Sequence, residues 1–534
     1  MAQTHKSKHS SSKRAQIIHK PRGVISPRVQ AAGPQHFGII SVDCAKARSK
    51  WMLTDFYGSI LVPPTEVEHT QSCLSSMIEG LHAALELAGI RDQIVVIERT
   101  GRYHRPIQHA FTKGGFEVRI VHPLTTKQHR QPANPGNKTD DTDLAAIYRG
   151  AVNGFGLLEP EPDPISVRLQ LLARHRRDVV EKTVALRSQI HEHLHAFMPG
   201  YSHCFADLFD AHIPLWVARN LHSAAAIVAA GVPGIIGQLR QAGIRVHLPT
   251  VEKVVAWARS APAGEDESSL HWNILIDLDD DRLLKARRMR AIEVELAALL
   301  VRTPYLLLLG IPGINVVSAA EFAGEMGPIE RYPSSRAITG RAGLFPSRYQ
   351  SDQVDYADGK LVRCANRSLR RAIMMIADNL IKCNEHFRVL AAGWRLQGAD
   401  PRAMRVRVAG RFSRIAYQMI AGRKAYRHPC CQQRDYVLKK LITFHSEHGT
   451  GPDQLKRDLD GALSQLPRSE YREEAIPLAD ELELVLNKRG KGPRPLAEIL
   501  PVVLAKMGVK PVRSSESGDA ILTEPSGRMS PTTS

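Results

Sequence analysis

Two short apolar segments that each end in an acidic residue constrain the fold of this chain most strongly. Phe37–Asp43 reads F-G-I-I-S-V-D and Ile94–Glu98 reads I-V-V-I-E, so each has the composition of a buried β-strand. A carboxylate is costly to bury without a partner, so an acid at the end of a central strand is expected to open into a site. These segments therefore predict a buried sheet with Asp43 and Glu98 at an accessible edge.

A third acidic stretch lies at 137–146 and reads N-K-T-D-D-T-D-L-A-A. If it starts a helix, Asp140 and Asp143 stand three residues apart on one face. An exposed acidic helix start, favoured by the helix dipole, would explain this pair by itself. Together with Asp43 and Glu98, however, the pair predicts a four-carboxylate metal centre. Oxygen-rich sites of this kind suit Mg2+, which takes few protein carboxylates and completes its shell with water and phosphate.

The region from Phe37 to about Gly150 alternates strand-like and helix-like segments. Strands are predicted at 51–55, 59–62 and 117–121 in addition to the two above, and helices at 70–87 and 106–113. Three strands joined by turns, followed by alternating helix and strand, is the order of an RNase H-like mixed sheet with the first strand in its centre. The predicted fold class is thus α/β in this region and α-helical beyond it.

A long helix is predicted from Ile165 to Phe197, and a second from about Asp280 to Leu300. Their apolar residues recur at alternating three- and four-residue spacing, which indicates a coiled-coil arm within or between subunits. His191–His195 reads H-E-H-L-H and matches the zinc-protease pattern H-E-x-x-H. No third ligand follows at a suitable spacing, so solvated or seam histidines are the preferred interpretation.

The segment Tyr305–Gly327 has helix, tight turn, helix character. Its turn, G-I-P-G-I-N at 310–315, resembles the helix-hairpin-helix motif, whose turn amides approach a nucleic-acid phosphate; a simple helical hairpin in the core is the alternative. Further on, Ser351 lies in a loop among basic residues. A loop serine is usually only a turn residue, but cationic neighbours are what a phosphate-attacking hydroxyl would need. The predicted nucleic-acid-binding residues here are Arg348, Lys360, Arg363, Arg367, Arg370 and Arg371.

Charge and cysteine usage narrow the class of partner and compartment. A formal charge of +18, from 72 Lys and Arg against 54 acids, points to a polyanion such as nucleic acid, with a solvated basic surface as the bland alternative. The seven cysteines form no C-x-x-C pair, which favours a reducing compartment. We expect no membrane span and no secretory signal, because no apolar run is long enough and the basic N-terminal region has no apolar core after it.

The predicted organisation has six parts. They are a disordered basic arm at 1–36, a RuvC-like catalytic domain at 37–155, a helical arm at 160–300, a C-terminal domain with the serine at 301–429, a helical extension without assigned chemistry at 430–512, and a disordered tail at 513–534. The arm has no acidic residue and could touch phosphates, although a solvated tail without a role explains its composition nearly as well.

Taken in order, Asp43, then E-R-T-G-R-Y-H at 98–104, then K-T-D-D-T-D at 138–143 resemble the DEDD transposases of the insertion-sequence one-ten family. The segments 310–327 and 342–371 are similar to that family's second transposase domain. The resemblance implies a prokaryotic, cytoplasmic, nucleoid-associated recombinase. Mg2+ would be held by Asp43, Glu98, Asp140 and Asp143, and Ser351 would form a transient phosphoserine bond to DNA.

The resemblance also implies guidance by a bridge RNA, and dimers that pair into a synaptic tetramer. Two other functions remain open on the residues alone. One is a RuvC-like structure-specific nuclease in which metal-activated water attacks and Ser351 takes no part. The other is a basic nucleic-acid-binding scaffold whose acids are only structural, for which binding would depend steeply on salt but not on magnesium.

Overall fold

The computed structural model describes residues 22–130, 136, 138–159, 163–347, 349–351, 354–356, 359–363, 365–424, 426 and 433–467. The chain divides between 161 and 162 into two compact units, which are described separately. Of the residues with predicted roles, Arg348 lies outside the described residues. So do residues 1–21 of the basic arm, residues 430–432 and 468–512 of the extension, and the tail.

The first unit is a mixed sheet with helices on both faces. Its strands are β1 (Phe37–Cys44), β2 (Arg48–Asp55), β3 (Ile60–Glu68), β4 (Asp92–Glu98), β5 (Val118–Val121) and β6 (Leu157–Leu158), and its helices are α1 (Ser26–Ala32), α2 (Gln71–Leu87), α3 (Arg105–Lys113), α4 (Pro123–His129) and α5 (Asp140–Val152). In the described residues the strand order is β3-β2-β1-β4-β5-β6. β1 pairs antiparallel with β2 and parallel with β4. The RNase H-like mixed sheet with a central first strand is consistent with this order.

The sheet is buried on both faces because its central strands are almost entirely apolar. Val95 and Ile97 face one core with α2 and α3, whereas Ile94 and Val96 face a second core with α1 and α5. This alternation follows from the two-residue period of a strand. A sheet covered on both sides leaves only its edges and strand ends accessible, which is where the acids lie.

The prediction that the basic arm is disordered is wrong for its last part. Residues 26–32 form α1, and Ile25, Val29 and Ala32 are buried against the sheet. Arg28 donates to Asp92 at 2.9 Å and to Glu117 at 2.8 Å. The apolar residues at four- and three-residue spacing give this segment a buried face, which the net charge of the arm had concealed.

The second unit is helical. Its long helices α6 (Pro164–Phe197) and α10 (Ser268–Leu300) pack side by side in opposite directions, and α7 (His212–Asn220), α8 (Ala224–Gln241) and α9 (Leu248–Ser260) cover their distal ends. The predicted helix pair is confirmed, although α10 begins twelve residues earlier than expected. The histidines of the H-E-H-L-H segment lie on α6, and one of them, His193, has its Nδ1 2.8 Å from Nδ1 of His271 on α10.

The remainder of the second unit forms a separate core around α11 (Val316–Met326). It comprises α12 (Ser335–Ala342), β7 (Tyr349–Ser351), β8 (Val354–Tyr356), α13 (Arg367–Cys383), α14 (Glu385–Leu396), α15 (Pro401–Ala421), α16 (Gln433–His448) and α17 (Pro452–Gln465). The predicted order of helix, tight turn and helix is present, and the helix before the Gly310–Asn315 turn is a 3-10 helix over Pro304–Gly310. No described helix is long and apolar enough to cross a lipid bilayer.

Candidate functional site: the acids of the first unit and the serine hairpin of the second

Two of the predicted acids lie side by side at the carboxyl ends of parallel strands. Asp43 is the penultimate residue of β1 and Glu98 is the last residue of β4. The register pairs Val42 with Ile97, so the two acids follow at adjacent positions of neighbouring strands. Because parallel strands end at the same edge of a sheet, the backbone itself brings these carboxylates together.

The other two acids lie in the first turn of α5. The helix begins with a capping box, in which the Thr142 backbone N–H donates to Thr139 Oγ1 at 3.2 Å and the Thr139 backbone N–H donates to Thr142 Oγ1 at 2.9 Å. This cap fixes where the helix starts and therefore which way Asp140 and Asp143 project. Asp143 is buried, whereas Asp140 is exposed.

Electrostatics shows that the four acids share one environment. Burial raises the pKa of Asp43 to about 6, and repulsion from Glu98, Asp143 and Asp140 adds to the effect. A carboxyl group with this pKa disfavours its charged form because the neighbouring charges are also negative. A cation placed among these acids would relieve the repulsion.

A basic residue already partners one of the four. Arg130 donates to Asp143 from Nε at 2.5 Å and from Nη2 at 3.1 Å, and this side-chain hydrogen bond raises the pKa of Arg130. Both oxygens of Asp143 are therefore engaged by a protein cation. In the described part of the chain, no three His, Cys, Asp or Glu side chains are grouped so as to hold a metal ion. The acids are neighbours, but they do not form a closed set of ligands.

The donor set nevertheless fits a hard divalent ion. Glu98 Oε2 is buried and has no hydrogen-bond partner among the described residues, and a buried carboxylate oxygen of this kind suits a proton or a cation. All four residues offer oxygen donors, which is the preference of Mg2+ and similar ions. The chemistry of the donor set therefore fits a divalent ion.

A lysine that sequence reasoning missed lies beside the acids. Lys50 of β2 stands opposite Asp43 in the antiparallel register, and its Nζ lies 2.6 Å from Asp141 Oδ1. This hydrogen bond to Asp141 raises the pKa of Lys50. The β1–β2 hairpin register could have revealed the pairing with Asp43. Arg130 could not have been found in this way, because no local sequence pattern links it to Asp143, thirteen residues further along the chain.

In the second unit, Ser351 is exposed at the end of β7. It pairs in register with Val354 of β8, so the two short strands form a hairpin. The base of the hairpin is closed by Ser347, whose backbone N–H and Oγ donate to the carbonyl of Lys360 at 2.9 and 3.0 Å. The hydroxyl of Ser351 is thus presented to solvent on a projection with a fixed base.

The basic residues around the hairpin have different environments. Lys360, Arg363 and Arg367 are exposed near the start of α13. Arg370 instead donates to the carbonyls of Ala342, at 2.7 Å, and Val362, and so anchors these two segments to α13; its contact with phosphate stays a prediction. The remaining residue of the predicted set, Arg371, lies 2.5 Å from Glu181, and both side chains are about half exposed.

A buried acid connects the start of α13 to α6. Asn366 caps α13 through Oδ1, which accepts from the Leu369 backbone N–H at 3.0 Å, and its Nδ2 donates to Glu325 Oε2 at 3.1 Å. Arg174 also donates to Glu325, at 2.8 and 3.0 Å. Burial by itself raises the pKa of Glu325, but the hydrogen bonds from Arg174 and Asn366 outweigh it and hold the pKa below its usual value. Glu325 therefore stays charged and fixes the helix start that follows the serine hairpin.

Comparison with protein families covers both regions. A family model of DEDD transposases of the IS110 kind, described as "Transposase", matches residues 40–199. A second, described as "Transposase IS116/IS110/IS902 family", matches residues 305–391. A search of curated proteins gives no match. The first match includes all four acids and the second includes the serine hairpin, in the order that the sequence motifs predict. The chain belongs to the IS110 family of transposases and is a DNA transposase.

Proposed function

We propose that this transposase cuts and rejoins DNA through a covalent bond between Ser351 and a DNA phosphate, with a divalent ion, most suitably Mg2+, held by Asp43, Glu98, Asp140 and Asp143. The observation that carries the proposal is geometric: β1 and β4 end side by side with Asp43 and Glu98, and Glu98 Oε2 is buried without a hydrogen-bond partner among the described residues. Neighbouring carboxylates repel one another, and a bound cation would relieve that repulsion.

A bound divalent ion would polarise the scissile phosphate and stabilise the departing oxygen. The protein's own residues perform the other tasks. Glu98, Asp43 and the capped first turn of α5 orient the carboxylate oxygens, and Lys50 holds Asp141 away from that set. In this proposal Arg130 holds both carboxylate oxygens of Asp143 until the nucleic acid arrives.

In the proposed reaction, Ser351 Oγ attacks the phosphorus, and its proton passes to solvent or a nearby base. The new Oγ–P bond replaces one P–O bond of the backbone, and the released strand end leaves as a protonated hydroxyl. In the second step a strand hydroxyl attacks the phosphoserine and restores the serine. The number of phosphate ester bonds is conserved, so rejoining needs no ATP.

Three further features belong to the proposal. Guidance by a bridge RNA is in accord with the net charge of +18. Dimers that pair into tetramers would use the arm of α6 and α10 as a coiled coil. The Gly310–Asn315 turn would act as a helix-hairpin-helix contact to phosphate.

The test compares Ser351→Ala with Asp43→Asn in a two-plasmid recombination assay that includes the element's flanking RNA. Both changes should reduce recombination at least about 100-fold, because each removes a group that the proposed reaction needs. Ser334→Ala is a matched control, since its side chain makes no helix-capping hydrogen bond. Samples of the wild type should also contain DNA linked to protein on a denaturing gel.

The outcomes separate the alternatives. Normal recombination by Ser351→Ala would refute the serine as nucleophile. Cleavage with no protein-linked DNA would favour the nuclease, in which activated water attacks. Retained activity of Asp43→Asn would refute the metal assignment.

A further inference from the structure

The segment from 386 to 424 is unusually basic and lies almost entirely beyond the second family match, which ends at 391. It contains nine Lys or Arg residues and one acid, Asp400. That acid is engaged locally, because Asp400 Oδ2 accepts from the backbone N–H groups of Arg402 and Ala403 at 2.8 and 3.1 Å. The positive charge of this segment is therefore not neutralised from within.

Helix α15 arranges three of these cations in a row. Arg407, Arg411 and Arg414 are all exposed, and at 3.6 residues per turn they fall within an arc of about 60° over a length of about 10 Å. The residues on the opposite face, such as Ala409 and Ala416, are fully buried in the core. Core packing thus fixes the face of the helix that the arginines occupy.

Helix α14 packs against α15 and carries two further exposed arginines. Arg388 and Arg395 are exposed and seven residues apart, so they share one face of α14. Trp394 lies between the two helices, with the Arg407 guanidinium 5.9 Å from its ring centre. A cation held over an indole keeps its charge and its outward-facing donors while losing side-chain freedom.

These arginines have no acidic partner in the described part of the chain. Other cations nearby are used internally, since Arg405 pairs with Asp378 and Arg423 donates to Gln465. The remaining set, which we call the α14–α15 arginine surface, consists of Arg388, Arg395, Arg407, Arg411 and Arg414. Solubility alone would be served by a mixture of lysine and glutamate on an exposed face. Five arginines without an acidic partner among the described residues instead suit phosphate, which the planar guanidinium binds through two donors.

We propose that the α14–α15 arginine surface binds the phosphate backbone of double-stranded DNA. This proposal deepens the proposed function and rests on it, because it takes DNA to lie near the second unit, which contains Ser351. The row on α15 spans about three base pairs at 3.4 Å each, so a rigid helix of this kind can follow consecutive phosphates of one strand. The contacts are to the backbone, so they position the duplex and do not read its sequence.

The experiment measures binding without chemistry. Full-length protein carrying Ser351→Ala, in EDTA, is titrated into a fluorescein-labelled duplex DNA of arbitrary sequence, and anisotropy is followed over a range of salt concentrations. The test protein adds Arg407→Gln, Arg411→Gln and Arg414→Gln. The matched control adds Arg240→Gln, Arg245→Gln and Arg259→Gln, which remove the same charge from exposed positions elsewhere in the second unit.

The test protein should bind duplex DNA at least about tenfold more weakly than the control, and the slope of log K against log salt should fall by about 2 to 3. Equal affinity and slope in the two proteins would overturn the proposal. A loss seen only with a structured RNA probe would overturn it as well. Thermal unfolding of both proteins should match the parent, because all six side chains are exposed. Binding here needs neither the nucleophile nor the metal, so failure of the proposed chemistry would leave this result interpretable.

Discussion

The pKa of the Asp43 carboxyl group is raised both by burial and by the negative charge of neighbouring acids. Its neighbour Cys44 and the strand residues before it are buried, so the carboxyl group has little water around it. The pKa of about 6 results from this burial and from the three acids nearby. Since the reference value is about 3.9, the folded protein keeps a proton that the unfolded chain has already lost between about pH 4 and pH 6.

We expect Asp43→Asn to stabilise the metal-free protein at about pH 7.5, by about 1 to 2 kcal/mol after allowance for partial solvent screening. The sign follows from the raised pKa: stability from this group is present at low pH and is lost as pH rises through the folded pKa. The gain should therefore shrink towards pH 4. Thermal unfolding in EDTA at both pH values measures it.

Glu79→Gln on the exposed face of α2 serves as the control for removal of one negative charge. Addition of Mg2+ or Mn2+ should raise the melting temperature of the wild type but not that of Asp43→Asn. A destabilised Asp43→Asn protein in EDTA would contradict the account of the acid cluster.

At the scale of elements, the start of α5 decides where two of the four acids project. The capping box of Thr139 and Thr142 satisfies backbone N–H groups that would otherwise lack partners. The three acids in the first turn are favoured by the helix dipole, but they repel one another. The cap therefore holds a helix turn that its own charges tend to loosen.

Thr139→Ala should lower the free energy of unfolding by about 1 kcal/mol, the usual effect of losing such a cap. It should also reduce recombination by more than this stability loss explains, because the acids of the first turn lose their orientation. Thr139→Ser keeps the hydroxyl and should restore both properties. Chemical denaturation and the two-plasmid assay provide the measurements, and an inactive Thr139→Ser protein would argue against the capping explanation.

At the scale of the whole molecule, α16 and α17 are part of the core around α11 in the second unit, although both lie beyond the second family match. Lys440 of α16 donates to the carbonyls of Leu309, Ile311 and Ile314 at 2.7, 3.0 and 2.6 Å. These carbonyls belong to the 3-10 helix and turn that precede α11. Helix α16, which lies outside the matched region, thus fixes the Gly310–Asn315 turn.

Leu441→Ala in α16 should destabilise the protein by about 2 to 5 kcal/mol, because it empties space in a packed core. Leu396→Ala on α14 is the matched control and should change stability by less than about 0.5 kcal/mol. The two leucines differ in exposure, at 0% and 90%. Differential scanning calorimetry of the full chain distinguishes them, and equal effects would mean that α16 is not integral to the core.

The amino-acid sequence alone determined the central strands of the first unit and the acids at their ends. Apolar runs such as 37–43 and 94–98 can only be buried strands at this length, and an acid that follows one of them has few places to go. The long helix of the arm was also evident from the spacing of its apolar residues. In each case the information lies within a few consecutive residues.

Tertiary structure decided which charges meet. Arg130 donates to Asp143 although no local pattern links the two residues, and Arg370 donates to a backbone carbonyl although its sequence context resembles a phosphate contact. The burial of α1 and α16 likewise depends on apolar partners that are distant in sequence. Local composition sets the conformation of a segment, but the free energy of a charge or an apolar face depends on what packs against it, and only the folded chain supplies that partner.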